Sequence, residues 1–176
     1  YLNRILRARV YDIAIETPLE RAARLSTRLG NTVLLKREGL QPAFSFKIRG
    51  AANAMVGASV KALAGGVWTA SAGNMAQGVA WMARERGVKC RVVVPDHAPR
   101  AKTDAIAKLG AEIIKVSFEA WWDAMLTHGY PGMTGLMVHP FADTAVMAGN
   151  GTIGLEIAED QPDLDVVLVP WGGGGL

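Results

Sequence analysis

From Val67 onward, short runs of β-branched residues alternate with longer stretches of helical periodicity. The strand-like runs are residues 67–70, 90–94, 112–116 and 136–139, and the helix-like stretches between them are 76–86, 102–109 and 118–127. Parallel strands need a crossover connection, usually a helix, so this alternation is typical of a doubly wound parallel sheet. The sequence therefore predicts a small α/β domain of four strands and three helices over residues 67–143.

The two flanks of this domain have a different pattern. Residues 1–66 contain an N-terminal helical pattern, an extended segment around Pro18, a strand-like run over 32–36 and a helix that continues from Lys47. Residues 144–176 contain a helical stretch over 152–159 and an apolar strand-like run over 165–169. We predict that 1–66 and 144–176 belong to one larger, discontinuous domain that the small domain interrupts.

The composition excludes several classes of protein. Of the 176 residues 50% are apolar and 20% are charged, and the Gly and Pro residues follow no fixed period, which excludes disordered, collagenous and coiled-coil chains. The single cysteine, Cys90, excludes a disulfide framework and a cysteine-rich zinc site. The histidines, His97, His128 and His139, form no i, i+4 pair, so no metal site is predicted.

Charge and hydropathy exclude two kinds of partner. The net charge is only +3, and no Lys/Arg block of the kind that follows nucleic-acid phosphates is present. No apolar run approaches the roughly 20 residues of a membrane span. We expect a cytoplasmic protein with neither a nucleic-acid nor a membrane partner.

A run of four glycines, Gly172 to Gly175, follows the strand-like segment 166–169. A buried strand that ends in glycines exposes consecutive backbone N–H groups with no Cβ in the way, and such a concave surface binds phosphate. The alternative is a flexible linker, which would more often contain serine. The pattern favours phosphate binding.

A second glycine pattern, Gly149-Asn150-Gly151-Thr152-Ile153-Gly154, matches the dinucleotide fingerprint G-x-G-x-x-G. No convincing strand leads into it, and the sequence ends too soon to supply the expected βαβ unit with its acidic ribose ligand. We interpret it as a glycine-rich helix start that packs close to another element.

Lys47 lies between Phe46 and Ile48 at the beginning of a predicted helix. Apolar neighbours and the positive end of a helix disfavour the ammonium form and favour the neutral amine that a Schiff base requires. On spacing alone, a solvated surface lysine is the commoner explanation.

The segment Ser71 to Gly78 follows a predicted strand and opens a helix. Small side chains at a helix N-terminus suit an anion, either a carboxylate or a phosphate. The alternative is helix capping by Ser71 or Asn74.

In this order, the motifs Ser-Phe-Lys-Ile-Arg-Gly-Ala at 45–51, Ser-Ala-Gly-Asn-Met-Ala-Gln-Gly at 71–78, Gly-Thr-Ile at 151–153 and Gly-Gly-Gly-Gly-Leu at 172–176 resemble the serine/threonine dehydratases. These are pyridoxal-phosphate lyases of the tryptophan-synthase-β fold type. The resemblance implies a two-lobed α/β structure of fold type II with doubly wound parallel sheets and pyridoxal 5'-phosphate as cofactor. It also implies conversion of a 3-hydroxy amino acid to a 2-oxo acid and ammonia by α,β-elimination.

The resemblance assigns roles to particular residues. Lys47 would be the Schiff-base lysine and the base that moves the Cα proton, Phe46 would pack beside the cofactor, and Asn74 would hydrogen-bond its ring hydroxyl. The cofactor phosphate would be held by Gly172, Gly173, Gly174, Gly175 and Leu176. The substrate carboxylate would be held by Ser71, Ala72, Gly73, Asn74 and Met75.

Two residues depart from the family pattern. Met75 replaces a usual histidine, which makes a bulkier substrate such as phenylserine plausible beside threonine and serine. Ala72 stands where related racemases carry a serine base, so we expect dehydration with little racemisation. A β-replacement enzyme or racemase of the same fold, and a non-catalytic ligand-binding relative, are the alternatives.

Family members continue well beyond the glycine loop. We therefore expect either that the sequence is truncated there or that a second polypeptide segment completes the large domain. Many family members are dimers or tetramers, so we expect a homo-oligomer as well.

Overall fold

The computed structural model describes all residues from Tyr1 to Leu176. The α-helices are, in chain order, α1 Leu2–Ile5, α2 Ala23–Leu29, α3 Lys47–Val56, α4 Val60–Leu63, α5 Asn74–Glu85, α6 Arg100–Lys108, α7 Phe118–Thr127 and α8 Thr144–Asp160. The β-strands are β1 Leu19–Arg21, β2 Leu34–Lys36, β3 Val67–Ala70, β4 Cys90–Pro95, β5 Glu112–Val116 and β6 Leu136–Met137.

The parallel sheet predicted from residue 67 onward is confirmed. Its strand order is β5-β4-β3-β6, and every pair is parallel. β3 and β4 are buried along almost their whole length, which fits their continuous apolar sequence and explains why the pattern shows no alternation. Because β4 and β6 lie on opposite sides of β3, the loops after β3 and β6 diverge at one edge of the sheet. Ligands of doubly wound proteins bind at this kind of topological switch point.

The flanking segments depart from the prediction in several places. The N-terminal helical pattern forms only the single turn α1, and the predicted strand over 32–36 is reduced to β2. β2 pairs with β1 in a two-stranded antiparallel sheet, and α2 lies between the two strands in the chain. β1, α2 and α4 have three, seven and four residues, which is too short for a clear periodic signal, and the sequence did not predict them.

The strand predicted over 165–169 is wrong for this structure. These residues have no regular secondary structure and are exposed, and Leu168 is 91% exposed. An extended segment becomes a strand only when a neighbouring strand completes its backbone hydrogen bonds. No strand of this chain lies beside residues 165–169, so the apolar run remains irregular.

Helix α8 is longer than predicted, and its glycines lie within it. The helix begins after Asp143, whose side chain accepts hydrogen bonds from the N–H groups of Ala145 and Val146. The interpretation of Gly149 and Gly151 as a helix start is therefore wrong, but their close packing is confirmed. A Cβ on Gly149 would lie 2.4 Å from the Arg49 carbonyl oxygen in α3, and one on Gly151 would lie 2.7 Å from the Ile5 side chain.

The close crossing of α3 and α8 predicts that alanine substitutions at two glycines of α8 have opposite effects on the free energy of unfolding. The change Gly149→Ala places a methyl group against the Arg49 carbonyl, and we expect it to destabilise the fold by about 1–3 kcal/mol or more. The change Gly154→Ala meets no atom within 4 Å, and we expect it to stabilise the helix by about 0.5–1 kcal/mol. Urea-induced unfolding of both variants tests this, and equal effects would contradict the proposed crossing.

The main hydrophobic core joins residues from both sides of the predicted domain boundary. Ile48, Ala51 and Met55 of α3 pack in the same cluster as Val79 of α5 and Val92 of β4. The division into a discontinuous large domain and a small domain stays a prediction. None of the helices is both long and apolar enough to cross a membrane, and no cluster of His, Cys, Asp or Glu residues suits a metal ion.

Candidate active site

Lys47 is the first residue of α3, as the sequence predicted. Its side chain is half-buried, and its Nζ donates a hydrogen bond to the Pro140 carbonyl oxygen at 2.7 Å. The same Nζ lies 5.0 Å from the centre of the Phe46 ring. Burial lowers the pKa of the Lys47 ammonium below its usual value. The neutral amine that a nucleophilic lysine requires is therefore easier to form at Lys47 than at a solvated lysine.

The loop that receives the Lys47 amine also touches the glycine loop. An added Cβ would lie 2.5 Å from the Phe141 ring at Gly173 and 2.7 Å from the Phe141 Cα at Gly175. Gly174 has a φ of +78°, a conformation that L side chains rarely adopt. The loop over 173–175 thus requires glycine at each position.

The glycine loop is also fixed from α8. The Asn150 side chain, fully buried in α8, donates a hydrogen bond to the Gly175 carbonyl oxygen at 2.5 Å. Gly172, Gly173 and Leu176 are exposed, whereas Gly174 is partly buried and Gly175 is buried. A backbone segment without side chains, held on both sides and open to solvent at its first residues, fits a phosphate group.

The Ser71 segment lies at the carboxyl end of β3, where the sheet topology favours ligand binding. Helix α5 begins at Asn74 after Gly73, and no side chain caps it, so the capping alternative for Ser71 and Asn74 is wrong. The Ser71 hydroxyl accepts a hydrogen bond from the Gly73 N–H at 3.2 Å instead. The first N–H groups of a helix without a side-chain cap are donors for an anion.

The members of the Ser71 segment differ in exposure. Asn74 is exposed, whereas Ser71, Ala72 and Gly73 are partly buried. The Met75 side chain is only 2% exposed and packs in the main hydrophobic core. Its main-chain N–H, and not its thioether, is therefore the part of Met75 that can reach a ligand.

Helix α5 also packs against the backbone that carries Lys47. A Cβ on Gly78 would lie 3.3 Å from the Lys47 carbonyl carbon and oxygen. A side chain at position 78 would require one of the two helices to shift by a few tenths of an ångström. The Ser71 segment and the lysine are thereby held on two packed helices, and the Pro140 and Phe141 backbone links the lysine to the glycine loop.

A buried network of charges, which the sequence did not predict, supports the start of α3. Arg49 is 0% exposed and forms ion pairs with Glu38 and Glu156. Glu156 also pairs with Lys36 at 2.8 Å and accepts a hydrogen bond from the Tyr11 hydroxyl at 2.8 Å. The one available sequence signal was the position of Arg49 in a helix whose neighbouring residues are apolar, since a buried arginine needs carboxylate partners.

The network fixes the charge of its members. Burial disfavours the Arg49 charge, but the hydrogen bonds with Glu38 and Glu156 outweigh burial and raise the Arg49 pKa. Burial likewise disfavours the charged form of Glu156, but hydrogen bonds from Arg49, Lys36 and Tyr11 lower its pKa below the usual value. Burial and the bond to Glu156 raise the pKa of Tyr11 to about 12. The lysine helix is thus attached to α8 by charges that persist across the neutral pH range.

Comparison with known proteins decides the family. A family model described as pyridoxal-phosphate dependent enzyme matches residues 10–176. The chain belongs to this family. The fold-type expectation is confirmed as well, since threonine deaminase isoform 2 from Solanum lycopersicum superimposes with a TM-score of 0.86 at 41% identity. That comparison covers 99% of this chain and 48% of the tomato chain.

Two further known proteins are similar to this chain. An L-threonine dehydratase (biosynthetic) from Burkholderia multivorans is 50% identical over 183 residues, which cover 100% of this chain and 36% of the relative. A maize serine racemase structure superimposes with a TM-score of 0.90 at 30% identity, covering 98% of this chain and 54% of that chain. The chain thus spans about a third of the length of the curated relatives it matches.

Proposed function

We propose that the protein is a pyridoxal-phosphate dependent dehydratase that converts a 3-hydroxy amino acid to a 2-oxo acid and ammonia. The Lys47 amine carries this proposal, because it is half-buried, has a lowered pKa and is held by the Pro140 carbonyl beside a loop that needs glycine at 173–175. Similar proteins named as threonine dehydratases support the reaction class.

The residues present fit the family's cofactor. The backbone N–H groups of Gly172 to Leu176 would hold its phosphate, and Lys47 would attach its aldehyde carbon. Phe46 would pack beside the ring and Asn74 would bind the ring hydroxyl. When bound, pyridoxal phosphate supplies an electron sink for the charge left at the substrate Cα.

The chain's own groups would then bind the substrate and move its proton. The hydroxyl of Ser71, the side chain of Asn74 and the N–H groups of Ala72, Gly73 and Met75 would hold the substrate carboxylate. Lys47, as the neutral amine, would accept the Cα proton, since a base must be unprotonated at the start of this step. The Lys47 ammonium formed in this step would give its proton to the β-hydroxyl, which would depart as water, and hydrolysis of the released enamine would yield the 2-oxo acid and ammonia.

The relation to serine racemases suggests a second activity, and Ala72 argues against it. Racemisation needs a proton donor on the opposite face of the substrate Cα. The methyl side chain of Ala72 has no proton to transfer. We therefore propose elimination of threonine or serine as the main reaction. The buried Met75 side chain no longer supports a preference for a larger substrate such as phenylserine.

The activity is tested on the intact natural polypeptide with a panel of threonine, serine and phenylserine. We expect formation of 2-oxo acid, and we expect Lys47→Ala to lower its rate by about 10²–10⁴-fold or more. The exposed Lys61 gives the matched control Lys61→Ala, which should keep the native rate. Borohydride reduction followed by peptide mapping should place a pyridoxyl group on Lys47. An adduct at another lysine would contradict the proposal.

We also propose that residues 165–169 become a strand when a neighbouring strand lies beside them. Their apolar side chains are exposed, which supports a partner strand from further sequence of the same polypeptide or from a second one. A homo-oligomer also stays a proposal, to be tested by sedimentation of the intact protein. A cytoplasmic location remains a prediction.

A further inference from the structure

His139 follows β6 and is 3% exposed, with hydrogen bonds at both ring nitrogens. Its Nδ1 accepts from the N–H groups of Phe141 at 3.2 Å and Ala142 at 2.8 Å. Its Nε2 lies 3.2 Å from the Met125 carbonyl oxygen. A nitrogen that accepts two N–H groups carries no proton, so the ring proton is on Nε2 and is donated to Met125. The surroundings thus select one neutral tautomer.

The turn that His139 closes touches both halves of the candidate site. On one side, the Pro140 carbonyl accepts the hydrogen bond from Lys47 at 2.7 Å. On the other side, Phe141 lies so close to Gly173 and Gly175 that neither has room for a Cβ. The His139 and Phe141 rings also meet edge to face, with centres 4.6 Å apart.

We propose that His139 is a positioning residue, whose neutral ring holds the turn 139–142 in the one conformation that aligns the Lys47 amine with the glycine loop. Its use in catalysis rests on the proposed function, but the positioning itself does not need a substrate. His139 acts through the backbone of Pro140 and Phe141 and does not touch the reacting atoms. A misplacement of about 1 Å in such a site can cost as much as 10²-fold in rate.

The environment keeps His139 in the form that the turn requires. A protonated ring has no acceptor at Nδ1, so the Phe141 and Ala142 N–H groups would lose their partner. Burial lowers the His139 pKa, and the nearby charges of His128 and Lys47 also lower it, whereas the Met125 carbonyl and Asp143 raise it. The His128 ring stacks on His139 at 4.5 Å and covers its face.

Two variants separate the ring nitrogens. In His139→Asn, the amide oxygen can occupy about the position of Nδ1 and keep the acceptor. In His139→Gln, the longer amide can reach the Met125 carbonyl, and the acceptor for Phe141 and Ala142 is lost. The readout is the rate at which added pyridoxal 5'-phosphate becomes borohydride-trappable on Lys47 in the intact, cofactor-depleted protein.

We expect the trapping rate to fall by about 10–100-fold in His139→Gln and to stay within about threefold of the native rate in His139→Asn. Equal losses in both variants, or no loss in His139→Gln, would overturn the proposal. Should His139→Gln fail to fold, ¹⁵N chemical shifts of the native protein give a second test, because a proton on Nδ1 instead of Nε2 also overturns it. Trapping needs no substrate, so it separates the two proposals. If native Lys47 is trapped but the protein forms no 2-oxo acid, only the dehydratase function is contradicted. If native Lys47 itself is not trapped, the proposed function is contradicted before the variants are compared.

Discussion

Replacing Arg49 with methionine is expected to lower the free energy of unfolding by about 3–5 kcal/mol. The change removes the cation that faces Glu38 and Glu156 in a fully buried position. The negative charges of the two carboxylates would then lie close together without the guanidinium between them. Glu156 would keep only Lys36 and Tyr11 as partners. A large loss follows because an uncompensated buried charge retains its desolvation penalty after its partner is removed.

The exposed pair of Arg37 and Glu20 gives the matched control. These two side chains also form an Arg–Glu contact, but they are 42% and 47% exposed. The change Arg37→Met is expected to cost less than about 1 kcal/mol, since exposed ion pairs contribute little. Urea-induced unfolding of the cofactor-free protein compares the two variants. If Arg49→Met cost no more than Arg37→Met, the buried network would not stabilise the fold.

The same network predicts how stability depends on pH. The pKa of Glu156 in the folded protein lies below its usual value of 4.5, so the unfolded chain binds the proton more readily. The contribution of Glu156 is therefore fully present above pH 4.5 and is lost as the pH falls below that value. Because Arg49 causes much of this shift, the native protein should lose stability more steeply in acid than Arg49→Met does.

The elements that the sequence predicted well are those with local signals at both ends. Helix α7 was predicted with its observed bounds, and in the structure the Ser117 side chain caps it by accepting from the Ala120 N–H at 3.2 Å. Strand β5 was predicted with its observed bounds as well. A β-branched run or a helical period, with a cap or a glycine beside it, defines such an element without any distant contact.

The elements that the sequence predicted poorly depend on distant parts of the chain. The glycines of α8 resembled a helix start because glycine weakens an isolated helix, but Gly149 is needed where α8 meets the Arg49 carbonyl. The strand over 165–169 depends on a neighbour that these residues do not have. The Asp143 cap was a local signal that could have placed the start of α8 correctly.

The candidate site shows the same division. The sequence predicted a site made of Lys47, the Ser71 segment and the glycine loop, because the residues of each motif lie next to one another in the chain. The contacts that join them could not be predicted, since Lys47 meets Pro140 across 93 residues and Asn150 meets Gly175 across 25. The location of the Met75 side chain could not be predicted either, because the sequence alone does not distinguish a side chain that faces a substrate from one in the core.

The change Gly175→Ala is expected to weaken binding of pyridoxal 5'-phosphate by about 10–100-fold. Its Cβ would lie 2.7 Å from the Phe141 Cα and 3.2 Å from the Phe141 carbonyl oxygen, and backbone atoms cannot yield as a flexible side chain does. The loop must therefore shift, and the N–H groups proposed to hold the phosphate shift with it. Absorbance titration of the cofactor-depleted protein measures the loss.

Two comparisons tie this loss to the phosphate. Pyridoxal, which has no phosphate group, should bind Gly175→Ala and the native protein with affinities within about threefold of each other. The reason is that pyridoxal makes no contact with the N–H groups proposed to hold the phosphate. The change Gly154→Ala, in open space on α8, should leave both affinities unchanged. If Gly175→Ala weakened pyridoxal as much as its phosphate ester, the glycine loop would support the fold of the site without binding the phosphate. If Gly175→Ala and the native protein bound the phosphate ester equally well, the glycine loop would not be part of the cofactor site.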